Sequence, residues 1–156
     1  MKNKIYSEIQ QIDLLIKTHD LLVDLCRERS PNATELAAAA SILFSFYSGL
    51  KRMFAVIRET GAQAEQEPGE ENALAESAYP DEMHRPGLSI FSDETLRILK
   101  PYELFHRSYL DKQHAAADWN EMKEPFLFLK VNWAIIKKKY YILLNKFKLT
   151  VLRKHE

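Results

Sequence analysis

Residues 119–153, WNEMKEPFLFLKVNWAIIKKKYYILLNKFKLTVLR, place an apolar side chain every three or four positions for most of their length. Met122, Phe126, Leu129, Trp133, Ile136, Tyr140, Leu143 and Phe147 follow one another in alternating steps of four and three. That spacing keeps all eight on one stripe of an α-helix. A stripe with a period near 3.5 residues predicts packing against other helices at small crossing angles, as in bundles. Asp118, just before the run, is a helix cap. Phe128, Trp119, Tyr141 and Val131 fall off the stripe. A second apolar face of this kind points to an extra contact, a homodimer interface, and its aromatics read as core more than as a platform on which bases stack.

The same rhythm recurs earlier in the chain. Ile5, Ile9, Ile12, Ile16, His19, Val23 and Cys26 mark a helix over residues 3–29, which Ser30-Pro31-Asn32 ends. Leu36, Ala40, Leu43, Tyr47, Leu50, Phe54 and Ile57 mark a second from about 33 to 60, with Thr60-Gly61 as its stop and Gly49 allowing a close neighbour. A third begins at Ser92, a cap followed by Asp93 and Glu94, with Leu96, Leu99, Tyr102, Phe105 and Tyr109 facing inward. Pro101 predicts a kink or break near Lys100. No alternating pattern of period two has useful length. The expected fold is all-α, an antiparallel bundle of four long helices in one domain over 1–156, with an acidic loop inserted at 61–91.

The formal net charge is zero, but the charges are segregated. From Glu59 to Glu82 every charged side chain is acidic, and from Lys137 to Lys154 every one is basic. These runs read as a solvated loop and a solvated helix face, with a basic patch for an acidic polymer or protein as the alternative. The single cysteine, Cys26, lies on the apolar stripe, so a buried inert thiol in a reducing cytoplasm is expected. No secretory leader is evident, and no apolar run approaches the roughly 20 residues that span a bilayer. A soluble protein without a membrane is expected.

Chemistry is sparse. The sequence contains no glycine-rich phosphate loop, CxxC, HExxH or GxSxG motif, and its histidines are scattered, so neither a metal site nor a cofactor is expected. Arg107 and His114 are the one suggestive pair. At a separation of about two helical turns they would leave the same helix face, where a guanidinium can hold a phosphate while an imidazole moves a proton. The plainer alternative pairs Arg107 with Asp111, one turn on, as decoration of a wet face.

The blocks FYSGLKRMFAVIRE, LSIFSDETLRIL and ADWNEMKEPF, with the acidic stretch between the first two, occur in an order that resembles the HepT-like branch of the HEPN superfamily. These are helical proteins of bacterial and archaeal toxin–antitoxin pairs, and the resemblance runs nearly the full chain. The superfamily signature, an arginine and a histidine with four to six residues between, is met by Arg107-SYLDKQ-His114. An ungapped alignment backward from Asp118 instead puts His106 and Asp111 at those two positions. The tyrosine that the family carries two residues past its histidine is replaced by Ala116.

The resemblance implies metal-independent RNA cleavage in a cleft between two protomers. His114 would act as general acid or base on a ribose hydroxyl, and Arg107 would stabilise charge on the phosphate. Lys137, Lys138 and His106 would contact the RNA substrate. A nucleotidyltransferase antitoxin would be the protein partner. The degenerate motif leaves a second reading open: a non-catalytic, dimeric helical module that binds a nucleotidyltransferase or another protein.

Overall fold

The computed structural model describes residues 2–64, 91–112 and 117–153, with side chains over 3–59, 91–112 and 117–145. Among the described residues every regular element is helical: α1 (Lys2–Thr18), α2 (Asp20–Glu28), α3 (Ala33–Ala64), α4 (Asp93–Asp111), α5 (Trp119–Leu127) and α6 (Leu129–Arg153). From 65 to 90, the stretch expected as an acidic loop lies outside the described residues.

Two of the expected long helices are bent. At His19 the backbone N–H reaches back only to the Ile16 carbonyl, while the ring Nδ1 donates to the Leu15 carbonyl at 2.8 Å. The second bend is at Phe128, between α5 and α6. There the Tyr102 hydroxyl donates to the Pro125 carbonyl at 2.8 Å, and Arg27 donates to the Leu127 carbonyl at 2.7 Å. In both places a side chain enters the backbone ladder, a recognised cause of helix bending. Pro101, where the break was expected, lies inside an uninterrupted α4. Its ring is on the exposed side, beside the exposed Arg97, where water can take the carbonyl that a proline orphans.

The helix starts are as the sequence implies. The Ser92 side chain accepts from the Thr95 N–H, and the Asp118 carboxylate accepts from the Asn120 N–H at 2.9 Å. At the head of α3, Asn32 and Glu35 form a reciprocal capping box, each backbone N–H donating to the other's side chain at 2.9 Å. Arg29 holds Glu35 from outside with two bonds. The far end of α3 differs from expectation. The helix passes through Gly61 to Ala64 instead of stopping at Thr60-Gly61.

α3 is the centre of the bundle. Its buried side chains include Ala39, Ile42, Phe46 and Met53 as well as the expected Ala40, Leu43, Tyr47, Leu50 and Ile57. They pack against α1, α4 and α5. Its Ala33–Glu59 stretch of 27 residues contains an 18-residue window of mean hydropathy 1.2, which by length and composition alone is enough to cross a membrane. This corrects the expectation that no apolar run approaches that length. Its apolar side chains here form the core. Neighbours run antiparallel. Glu8 meets Arg52 and Ile12 meets Gly49 between α1 and α3, while Phe44 meets Tyr109 and Phe54 meets Phe91 across α3 and the α4 end of the chain. On α6 the inner stripe holds except at its end, where Leu144 rather than Leu143 is fully buried.

Candidate functional site

The expected site residues lie on α4 and α6. α4 begins at its Ser92 cap and buries Leu99, Tyr102 and Phe105 against the core, which fixes its rotation. That rotation turns His106 inward. Its ring stacks flat on Phe44, with centroids 4.5 Å apart and planes within 3°, and lies 5.1 Å from Tyr47. Its Nε2 is 3.1 Å from the Ser48 Oγ. Burial, and secondarily the nearby Lys51 ammonium, pushes its pKa down to about 4, so the imidazole is neutral at physiological pH. With only 6% of its surface exposed, His106 packs in the interior with its Nε2 hydrogen-bonded to Ser48.

Arg107 is the next residue and points the other way. Its Nη2 donates to the Glu103 Oε1 at 2.8 Å, and Lys100 approaches the other carboxylate oxygen at 3.4 Å. The Glu103 side chain is nearly covered, at 11% exposure, while that of Arg107 is 44% exposed. A buried carboxylate requires compensating charge, and two flanking cations supply it. Among the described residues Arg107 therefore pairs with the acid one turn before it, not with Asp111. α4 ends at Asp111, where the cap residue Lys112 bonds back to Ser108. His114 lies outside the described residues, so the shared helix face is described only on its Arg107 side.

The two lysines separate in a similar way. Lys137 is bound to Asp13 of α1 at 2.7 Å, and the same carboxylate accepts from the Trp133 indole at 2.7 Å. Lys138 is exposed. With Lys137 tied to α1 and His106 tied to α3, the described contacts do not join the expected substrate-binding set.

Other residues carry more of the polar organisation than the sequence suggested. Glu103 is one of these, and its signal in the sequence is its place four residues before an arginine, the favoured order for a helical ion pair. Ser48 and Phe44 gave no sequence signal, because their partner comes from another helix. Cys26 is buried, and desolvation raises its thiol pKa, which keeps it protonated. An open groove of about 510 Å³ between α1 and α3, lined by Lys4, Glu8 and Arg52 among others, includes none of the expected site residues. Among the described residues no group of three or more His, Cys, Asp or Glu side chains could hold a metal ion.

α6 presents a second apolar surface. Phe128, Val131, Ile135 and Ile142 are exposed on the side away from the core. Two other residues expected there have partners: Trp119 packs edge-on against Phe126, and Tyr141 tilts against Tyr6 of α1. Comparison with models of known protein families, with curated proteins and with solved structures finds no match to this chain.

Proposed function

We propose that this chain is a HEPN-like antiparallel four-helix bundle that works as a docking module for another protein rather than as a nuclease. α1 with α2, and α5 with α6, each count as one bent rod. The observation that carries the reading is the commitment of Arg107 to Glu103. A phosphate would have to compete with a carboxylate already in place, and that carboxylate repels phosphates. The neighbouring imidazole, His106, is buried and neutral, with its Nε2 engaged by Ser48. Pairing with a second copy or with a nucleotidyltransferase belongs to the same reading, as does a reducing cytoplasmic setting for the buried, unpaired Cys26.

The ribonuclease reading retains one observation in its favour: Arg107 stands half-exposed near the end of α4, its direction set by Glu103. In that reading Arg107 would steady the phosphate and His114 would move the proton.

The test is RNA cleavage by purified protein in EDTA, with wild type beside Arg107→Ala and His114→Ala. The docking reading expects no cleavage above buffer from any of the three. Cleavage by wild type that disappears in His114→Ala replaces it with the nuclease.

A further inference from the structure

We propose that the outer face of α6 is a docking surface for an acidic amphipathic helix of another protein. This rests on the docking reading above and adds the chemistry of the partner.

α6 is apolar on two opposite sides. Leu129, Trp133, Ile136, Tyr140 and Leu144 point into the core. Phe128, Val131, Ile135 and Ile142, exposed by 53%, 55%, 38% and 44%, point away from it. At about 100° per residue Val131, Ile135 and Ile142 fall within an arc of roughly 40°, a single seam in the same three-and-four spacing as the buried one, and Phe128 adjoins them at the bend before α6. Three are β-branched, a type that weakens a helix slightly, so helix formation does not account for their place on a wet surface.

On α6 itself the charge around the seam is of one sign, while the exposed Glu124 of α5 stands one turn before Phe128. From Leu129 to Asn145 every charged side chain is a lysine. Lys130 and Lys137 are bound to Asp20 and Asp13. Lys138 and Lys139 have no ion-pair partner among the described residues, and by helical rotation they flank the seam on either side, between Ile135 and Ile142. An apolar stripe between lysines is complementary to an apolar stripe between carboxylates, the arrangement that sets partner choice in coiled coils. A second copy is less well matched. Set parallel, it brings the same lysines together; set antiparallel about Ile135, it places them opposite Val131 and Asn132.

The probe is a synthetic peptide of about three heptads, with leucine at the two buried positions of each heptad and glutamate at the flanking ones. A control peptide carries lysine in place of each glutamate. Fluorescence anisotropy should show the acidic peptide binding at least about tenfold more tightly than the basic one, with affinity falling as salt rises. Ile135→Asp should abolish binding with an unchanged melting temperature, and the double variant Lys138→Glu/Lys139→Glu should reverse the preference. Equal binding of both peptides, or no binding of either, overturns the proposal. So does a wild-type dimer that Ile135→Asp dissociates, or binding to phosphatidylserine vesicles in preference to the acidic peptide. RNA is absent from this assay, so its failure is distinct from failure of the docking reading.

Discussion

The Nε2 of His106 lies 3.1 Å from the Oγ of Ser48, joining α4 to α3 through two side chains whose helices are far apart in sequence. The contact lets a polar ring sit between Phe44 and Tyr47 without an unsatisfied nitrogen at that position.

It also makes stability depend on pH. The folded-state pKa of about 4 is below the ordinary 6.5, so between these values the unfolded chain binds a proton that the folded chain refuses. The contribution of His106 is therefore fully present above pH 6.5 and is lost as the pH falls through about 4. Melting temperatures across that window should fall more steeply for wild type than for His106→Gln, whose carboxamide can still reach Ser48. An NMR titration midpoint of His106 near 6.5 would contradict its burial.

Tyr102 and Tyr140 are both buried, with opposite polar fates. The Tyr102 hydroxyl donates to the Pro125 carbonyl at 2.8 Å and accepts from Asn132 at 2.9 Å. The Tyr140 hydroxyl has no hydrogen-bond partner among the described residues. Tyr102→Phe should cost about 1–3 kcal/mol in urea unfolding, because a buried carbonyl and amide each lose a partner. Tyr140→Phe should be neutral or stabilise by up to about 1 kcal/mol, since it removes an uncompensated desolvation.

At Gly49, α3 lies close against Ile12 of α1. A Cβ there would stand 3.1 Å from the Ile12 Cδ1 and 3.2 Å from its Cγ1. Gly49→Val should destabilise by about 1–3 kcal/mol through overpacking. Gly49→Ala is milder, because Cδ1 is the free end of a side chain and alanine favours the helix by about 1 kcal/mol. In a double-mutant cycle Ile12→Val should cost less in the Gly49→Ala background than in wild type, as it removes the atom in the way.

Glu103 is shared by Lys100 and Arg107, so its loss and that of a single cation should differ. Arg107→Ala leaves the carboxylate with Lys100, and, allowing for screening at a half-exposed guanidinium, should cost under about 1 kcal/mol. Glu103→Ala leaves two neighbouring cations without their acid and should cost about 1–2 kcal/mol. Thermal unfolding of both variants ranks them, and a larger loss for Arg107→Ala would mean that Lys100 alone does not compensate the buried carboxylate.

The helical class, the inner stripes and the caps at Ser92 and Asp118 were readable from the sequence because each depends on local spacing or on one residue's chemistry. Ile5, Ile9, Ile12 and Ile16 can share a face in one way only, whatever packs against them. The bends at His19 and Phe128 were not readable in that manner. The second needs donors from Tyr102 and Arg27, which sequence distance separates widely from the carbonyls they reach.

An acid stands one turn to either side of Arg107, Glu103 before it and Asp111 after it, and spacing pointed only to Asp111. Only the packing of α4 on α3 resolves the choice, by burying Glu103 and leaving Asp111 in water. A buried carboxylate draws a guanidinium far more strongly than a hydrated one does. The same rotation turns His106 inward. Periodicity along the chain thus establishes which side chains lie together on a helix. Which of them meet water, and so which remain available for chemistry or docking, depends on how the neighbouring helices cover them, because desolvation is a property of the assembled bundle.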